Sequence, residues 1–254
     1  MSSPIAAGDP SAPNRVVILH GYTGSPDEFR DFARDLSSRM NAYVTAPLLP
    51  GHGTDVNDLL PLWFDDIYAA AREHVREASA SGKPLVIIGH SFGGYLALLS
   101  TAEFPPAAIV ITVMPYHMRF PLNLPFMSYI LRLKYLWEKK LSEKEISDRV
   151  GNFYYKHMPG KALWLLLEGK ERVREILRTI KAPILTVHGN TDSLALPDSG
   201  NAVLEQTARN THNKAVILDN RSHGIFYGEG RADVQDLILQ FVESELYPKK
   251  KETA

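Results

Sequence analysis

The stretch that decides the fold runs from Leu85 to Gly94 and reads LVIIGHSFGG. Four apolar residues that end at a glycine are typical of a buried parallel strand, and the small residues after Ser91 favour a helix directly behind it. A G-x-S-x-G motif is common by chance. Between a strand and a helix, however, it predicts a sharp turn that lifts the serine hydroxyl clear of the sheet, which makes Ser91 a candidate nucleophile. The alternative is a tight turn whose serine only caps the helix.

Short apolar runs alternate with helical patterns on both sides of this stretch. We predict strands over residues 16–19, 42–46, 85–88, 108–113, 184–187 and 215–218, with helices between most of them. This alternation implies βαβ units with right-handed crossovers, and therefore a mostly parallel sheet with helices on both faces. The whole chain, residues 1–254, is predicted to form one α/β domain.

The alternation stops between residues 116 and 180. This segment holds three helical patterns, around residues 125–140, 142–156 and 161–179, and no convincing strand. It is too long for a simple crossover and too apolar for a disordered loop. We therefore predict a helical cap that is inserted between two strands and packs over one end of the sheet.

The composition is that of an ordinary globular protein, with 44% hydrophobic and 22% charged residues in 254. The 28 basic and 29 acidic residues provide no strong basic field, which disfavours nucleic-acid binding. The absence of cysteine excludes disulfides, thiolate metal sites and a cysteine nucleophile. The N-terminal residues lack the pattern of a signal peptide, and no apolar run approaches the ~20 residues of a membrane span. We expect a cytoplasmic protein without stable membrane insertion.

A serine hydroxyl is a poor nucleophile at neutral pH and needs a base and an acid that orients the base. Asp192 follows the strand predicted at 184–187, and His223 follows the last strand. Both therefore fall at the carboxyl ends of parallel strands, where open α/β sheets build their sites. Asp219 is a second candidate acid, but it lies on the loop of His223 itself. An acid must approach the imidazole from the side opposite the serine, so we favour Asp192 and expect Asp219 to cap the turn at 220–222.

Two backbone N–H groups are candidates to stabilise the oxyanion of acyl transfer. Phe92 supplies one at the start of the helix, and Tyr22 supplies the other from the loop HGYTG after the first strand. The alternative is that this glycine-rich loop only turns the chain, and no phosphate-binding motif is present. The remaining histidines near strand ends lack metal-binding spacing, so we expect them to hydrogen-bond loop backbone and predict no metal site: His20, His52, His90 and His188.

Five motifs follow one another along the chain: HGYTG from His20, PGHG from Pro50, GHSFGG from Gly89, GNTD from Gly189 and SHG from Ser222. In this order they resemble the α/β-hydrolase superfamily, and within it the small bacterial carboxylesterases and monoacylglycerol lipases. The similarity extends over about residues 16–246. It implies Ser91 as nucleophile, Asp192 as acid and His223 as base, with Tyr22 and Phe92 as oxyanion donors. The short N-terminus departs from the family and predicts that an initial β-hairpin is reduced or absent.

The expected activity is hydrolysis of small carboxylic esters, of short to medium acyl chains or monoacylglycerols, through an acyl-enzyme and without any cofactor. Alternatives are the same triad acting on an amide, a thioester or a C–C bond, or a non-catalytic ligand-binding protein on the same scaffold. The oligomeric state is left open. Apolar residues in the cap predict a partly apolar cleft beneath it: Phe120, Leu122, Leu124, Phe126, Met127 and Tyr129.

Overall fold

A computed structural model describes residues 1–119, 136–139 and 143–248. In chain order the strands are β1 Ile5–Ala7, β2 Asn14–Leu19, β3 Ala42–Ala46, β4 Leu85–His90, β5 Ala108–Thr112, β6 Leu136–Glu138, β7 His157–Pro159, β8 Ile184–Gly189 and β9 Lys214–Leu218. Seven of them form one sheet in the order β1-β3-β2-β4-β5-β8-β9. All neighbours in this sheet are parallel except β1, which pairs antiparallel with β3 at the edge. The prediction of a mostly parallel sheet is confirmed.

Helices cover both faces of this sheet. The described helices are α1 Arg30–Met40, α2 Phe64–Ser79, α3 Phe92–Ser100, α4 Glu143–Asp148, α5 Ala162–Ile176, α6 Ser199–Leu204 and α7 Arg231–Leu246, with 3₁₀ turns at Pro26–Phe29, Val56–Leu59 and Leu177–Thr179. Strand side chains alternate between two apolar cores. Val17 of β2 faces the core of α2, α3 and α5, whereas Val16 faces the core of α1 and α7. Burial on both faces explains why the central strands β2, β4, β5 and β8 are largely apolar runs.

The N-terminal edge carries a single short strand. Ile5 pairs with Ala46, and β1 therefore extends the sheet by one antiparallel strand before the first parallel one. This agrees with the expectation of a reduced initial hairpin. Among the described helices, none is long and apolar enough to cross a membrane.

The insertion between β5 and β8 differs from its prediction in two respects. The helix predicted at 142–156 ends at Asp148, and a strand pair is present. Where only helices were predicted, β6 and β7 form an antiparallel pair with Trp137 opposite Met158. Pairing with a distant segment overrides local helix propensity, which is a weak preference. Most of the helix predicted at 125–140, and the apolar residues 120–129 of the predicted cleft, lie outside the described residues. The predicted third helix is present as α5, whose Gly169 lies directly against Tyr95 of α3.

Candidate active site

Ser91 occupies a strained turn between β4 and α3. Its φ of 52° and ψ of −119° are rarely adopted by any residue other than glycine. The surrounding structure holds this conformation, because the Ser91 N–H donates to the carbonyl of Thr112 on β5 at 2.8 Å and the Ser91 carbonyl accepts from Gly94 N–H at 2.9 Å. Strain of this kind persists only where neighbouring contacts determine the backbone.

The glycines that flank Ser91 allow close approach of three elements. A Cβ atom on Gly93 would overlap the carbonyl of Leu19 at the end of β2, and one on Gly89 would overlap the backbone of Gly93. Neither glycine has a positive φ. The motif therefore requires glycine at these positions for space, and the strained backbone belongs to the serine itself.

His223 connects Ser91 to Asp192. The Ser91 hydroxyl donates to His223 Nε2 at 2.8 Å, and His223 Nδ1–H donates to Asp192 Oδ2 at 2.7 Å. Ser91 and Asp192 are buried, whereas the His223 side chain remains 26% exposed. The structure thus brings the three predicted residues together from loops after three strands: β4, β8 and β9.

The carboxylate of Asp192 is fixed on both oxygens. While Oδ2 faces His223, Oδ1 accepts the backbone N–H groups of Leu194 at 2.7 Å and Ala195 at 3.0 Å. Burial alone would raise the pKa of this carboxyl, but the charge of His223 and these hydrogen bonds outweigh it and lower the pKa of Asp192. An ionised carboxylate in this place holds the imidazole in the tautomer that leaves Nε2 free to accept a proton.

Asp219 lies away from the imidazole and does not cap its own turn as predicted. Its carboxylate accepts the side-chain amide of Asn190 at 2.8 Å, and the Asn190 side chain in turn accepts the N–H of Asn220. The adjacent pairing of β8 and β9 brings these two loops together. A partner across the loop pair has replaced the local Asx cap.

Tyr22 and Phe92 stand side by side at the nucleophile. Their rings meet edge to face with centroids 5.7 Å apart. Neither backbone N–H donates to an acceptor within the described residues. Phe92 is the first residue of α3, where backbone N–H groups and the helix dipole favour negative charge. Both N–H groups therefore remain available to a ligand.

Two neutral histidines hold the loop that carries Tyr22. His20 Nε2 accepts the N–H of Leu49 at 3.1 Å, and His52 Nε2 accepts the N–H of Thr23 at 3.1 Å. Burial lowers the pKa of His20 to about 3 and that of His52 to about 4. Both rings are therefore uncharged at neutral pH, and each can accept on Nε2 while Nδ1–H donates to a carbonyl. The expectation that these histidines hydrogen-bond loop backbone is confirmed.

His188 follows the same expectation, whereas His90 binds a side chain of β5 in place of loop backbone. His188 Nε2 lies 3.1 Å from the carbonyl of Met114, and His90 Nδ1 lies 2.9 Å from Thr112 Oγ1. In the part of the chain that the structure describes, no three His, Asp or Glu side chains are grouped to hold a metal ion.

The insertion contacts the loop of Tyr22 directly. Tyr155 N–H donates to the carbonyl of Thr23, and the Tyr155 hydroxyl donates to the carbonyl of Gly51 at 2.8 Å. The Ser25 hydroxyl donates to the carbonyl of Phe153 at 2.8 Å. The segment before β7 therefore lies over the loop of Tyr22, and its position affects the site.

Sequence reasoning missed one residue beside the site. The pattern after Ser25 assigns Glu28 only as an early acid of a helix, but the structure buries its side chain to 4% exposure. Spacing from the motifs carries no signal for it, because helix starts are commonly acidic.

Comparison with known proteins agrees with this fold. The profile of the alpha/beta hydrolase family matches residues 16–237. Similar curated proteins are a thermostable monoacylglycerol lipase of Bacillus sp. (strain H-257), 27% identical over 103 residues, and Lipase LipV of Mycobacterium tuberculosis, 33% identical over 104 residues. These alignments cover 41% and 40% of this chain, and 41% and 38% of the relatives. They therefore span less than half the length of either relative.

Solved structures share the fold over nearly the whole chain. One, from a study of the metagenome-derived lipolytic enzymes LipS and LipT, superposes with a TM-score of 0.82 at 22% identity, covering 96% of this chain and 98% of the other. The monoacylglycerol lipase of Paleococcus ferrophilus gives a TM-score of 0.74 at 18% identity, covering 95% and 98%. At such identities the likeness concerns the fold alone. Since the family profile spans most of the sequence, this chain belongs to the alpha/beta hydrolase family.

Proposed function

We propose that the protein is a serine hydrolase that cleaves carboxylic esters of short to medium acyl chains, or monoacylglycerols, through an acyl-enzyme. The observation that carries this proposal is the chain of hydrogen bonds from the Ser91 hydroxyl through His223 to Asp192, at 2.8 Å and 2.7 Å. Both distances lie within the range in which a base takes a proton from a nucleophile and an acid orients the base.

In the proposed reaction, Ser91 Oγ attacks the ester carbonyl while its proton passes to His223 Nε2. His223 then donates that proton to the leaving alcohol and later takes one from the water that hydrolyses the acyl-enzyme. Asp192 stays ionised and stabilises the imidazolium. The backbone N–H groups of Tyr22 and Phe92 donate hydrogen bonds to the negatively charged carbonyl oxygen. A single such donor typically stabilises the transition state by about 3–4 kcal/mol.

Two further observations support an ester as substrate. Both curated relatives described above are named lipases, and one is named a monoacylglycerol lipase. The site also combines a polar centre at Ser91 with the apolar rings of Tyr22 and Phe92. A thioester or an amide would use the same groups with a different leaving atom, so substrate panels must separate these cases.

We also propose that residues 116–180 act as a cap on a single domain that spans residues 1–254. The contacts of Tyr155 with the carbonyls of Thr23 and Gly51 support this role, because they connect the insertion to the loop of Tyr22. A cap in this position would limit the length of the bound acyl chain.

The decisive experiment is hydrolysis of a series of p-nitrophenyl esters and monoacylglycerols, with matched thioesters and anilides. The expected result is ester turnover with transient acylation of Ser91, detected by mass spectrometry of the intact protein. Preference for the thioester or anilide would identify the alternative leaving group. Absence of turnover and of acylation on every substrate would reject the proposal in favour of a ligand-binding protein.

A further inference from the structure

Glu28 lies where four segments meet: the loop of Tyr22, the residue before the nucleophile, the insertion and the segment of Tyr227. Its Oε1 atom faces Gly24 in the loop of Tyr22, where an added Cβ atom would stand 3.1 Å from it. Its Oε2 atom is 3.8 Å from His90 Nε2, on the residue before the nucleophile. Oε1 is buried and has no hydrogen-bond partner within the described residues. A buried carboxyl group that is only partly satisfied is costly, and such groups concentrate at functional sites.

The surroundings of Glu28 include charges from every element packed around it. Arg149 and Lys139 of the insertion attract its carboxylate, the hydroxyl of Tyr227 lies beside it, and Asp27 on the same turn repels it. The Arg149 guanidinium stands over the Tyr227 ring, 4.5 Å from its centroid. Burial dominates these effects and raises the pKa of Glu28 to about 7, while burial lowers the pKa of Lys139 to about 7. Glu28 therefore changes charge near neutral pH.

His90 lies beside both Glu28 and the proposed base. Its ring centroid is 5.9 Å from that of His223, and Thr112 fixes its other nitrogen at 2.9 Å. Burial, followed by the charges of His223 and Arg149, lowers the pKa of His90 far below its ordinary value, so this ring stays neutral. A neutral, buried ring thus contacts the surroundings of both Glu28 and His223.

We propose that Glu28 is a positioning residue whose negative charge acts through the neutral His90 ring to favour the protonated form of His223 that arises during acyl transfer. This inference rests on the proposed function. Positive charge develops on His223 as Ser91 loses its proton, so a carboxylate nearby accelerates that step without binding substrate. Because the interior screens charges weakly, the charge of Glu28 acts on His223 beyond direct contact.

The test is the ratio of kcat/KM between the wild type and Glu28→Gln across pH 6 to 8.5. Glutamine preserves the shape of the neutral carboxyl group, so the two proteins are expected to differ by less than about twofold at pH 6, where Glu28 is protonated. At pH 8.5 the variant is expected to be about three- to tenfold slower, in kcat rather than KM. Asp31→Asn, which removes an exposed carboxylate from the following helix, is the matched control and should give a constant ratio.

A second variant tests the inference without changing Glu28. Arg149→Met removes a cation that lowers the pKa of Glu28. The rise in kcat that accompanies ionisation of Glu28 should therefore shift to higher pH. A ratio for Glu28→Gln that stays constant with pH would indicate a purely structural role and overturn the inference. An unshifted profile in Arg149→Met would overturn it as well.

Failure of the proposed function has a different signature. Ester turnover that survives in Ser91→Ala, or no turnover in the wild type, would reject the serine mechanism itself. Turnover that depends on Ser91 together with a constant Glu28→Gln ratio would reject only the role of Glu28.

Discussion

Arg119 donates from its guanidinium Nε–H to the backbone carbonyl of Asp192, the acid of the proposed triad. The same segment adds a bond from Arg119 N–H to the carbonyl of Leu194 at 3.0 Å and a short antiparallel bridge between Met118 and Ala195. The start of the insertion therefore holds the loop whose N–H groups fix the Asp192 carboxylate. An exposed arginine of the insertion thus contacts the backbone of the proposed acid directly.

Replacing Arg119 by alanine should lower kcat about tenfold with little change in KM, because a small displacement of Asp192 misaligns the base. Arg119→Lys should recover only part of the rate, since lysine lacks the planar donor. Steady-state kinetics on a p-nitrophenyl ester measure both effects, with exposed Arg34→Ala as control. A change confined to KM would show that Arg119 contacts the substrate.

Ser91→Ala should reduce ester turnover by about four to six orders of magnitude while leaving the melting temperature nearly unchanged. The hydroxyl is the only group lost, and the strained turn accepts alanine as it accepts serine. Stopped assays and thermal melts measure the two quantities, with Ser147→Ala on α4 as control. Near-normal turnover in the alanine variant would contradict the serine mechanism.

Variants of the two candidate acids should differ in phenotype. Asp192→Asn should lower kcat by about 10⁴, because asparagine permits the wrong imidazole tautomer. Asp219→Asn should leave kcat within about threefold and cost at most ~1 kcal/mol of stability, since among the described residues Asp219 accepts a hydrogen bond only from the Asn190 amide. Both variants are compared by kinetics and by urea unfolding. Exchanged phenotypes would assign the acid to Asp219.

The acyl-chain profile should rise from acetyl to medium chains and fall for long ones. Each added CH₂ that becomes buried contributes up to ~0.8 kcal/mol until the cleft is full. This prediction rests on the apolar sequence of the cap at residues 120–129. The kcat/KM values for p-nitrophenyl esters of increasing length measure it. A flat profile, or a maximum on emulsified long-chain triglycerides, would contradict a closed cap.

Acid should destabilise the fold through its buried histidines. His20 and His52 have a folded pKa of about 3 and about 4, below the ~6.5 of an unfolded chain, so the unfolded state binds more protons as pH falls. Their contribution to the free energy of unfolding is complete above pH ~6.5. It is lost as pH falls toward 4, by roughly 3 kcal/mol for His52. His52→Gln retains an acceptor for Thr23 N–H and should flatten this dependence. Melting temperatures between pH 7.5 and 4.5 test it, and parallel curves for both proteins would contradict it.

Features encoded within one short stretch could be predicted from the sequence. The strand before Ser91, the glycines behind it and the positions of Asp192 and His223 after strands follow from local patterns and chain order. Features that require two distant segments could not. The pairing of β6 with β7 and the burial of Glu28 depend on tertiary contacts, which leave no periodic signal in either segment.

The turn at Ser91 also bears on how such an enzyme can evolve. Its backbone is held by the Thr112 carbonyl and by the close contacts at Gly89 and Gly93, and none of these involves the hydroxyl. The backbone of this turn therefore does not depend on the hydroxyl of its side chain, provided that the flanking positions stay unchanged. A different reactive group could be placed at this single position without rebuilding the frame, whereas a side chain at Gly89 or Gly93 would displace the backbone around it.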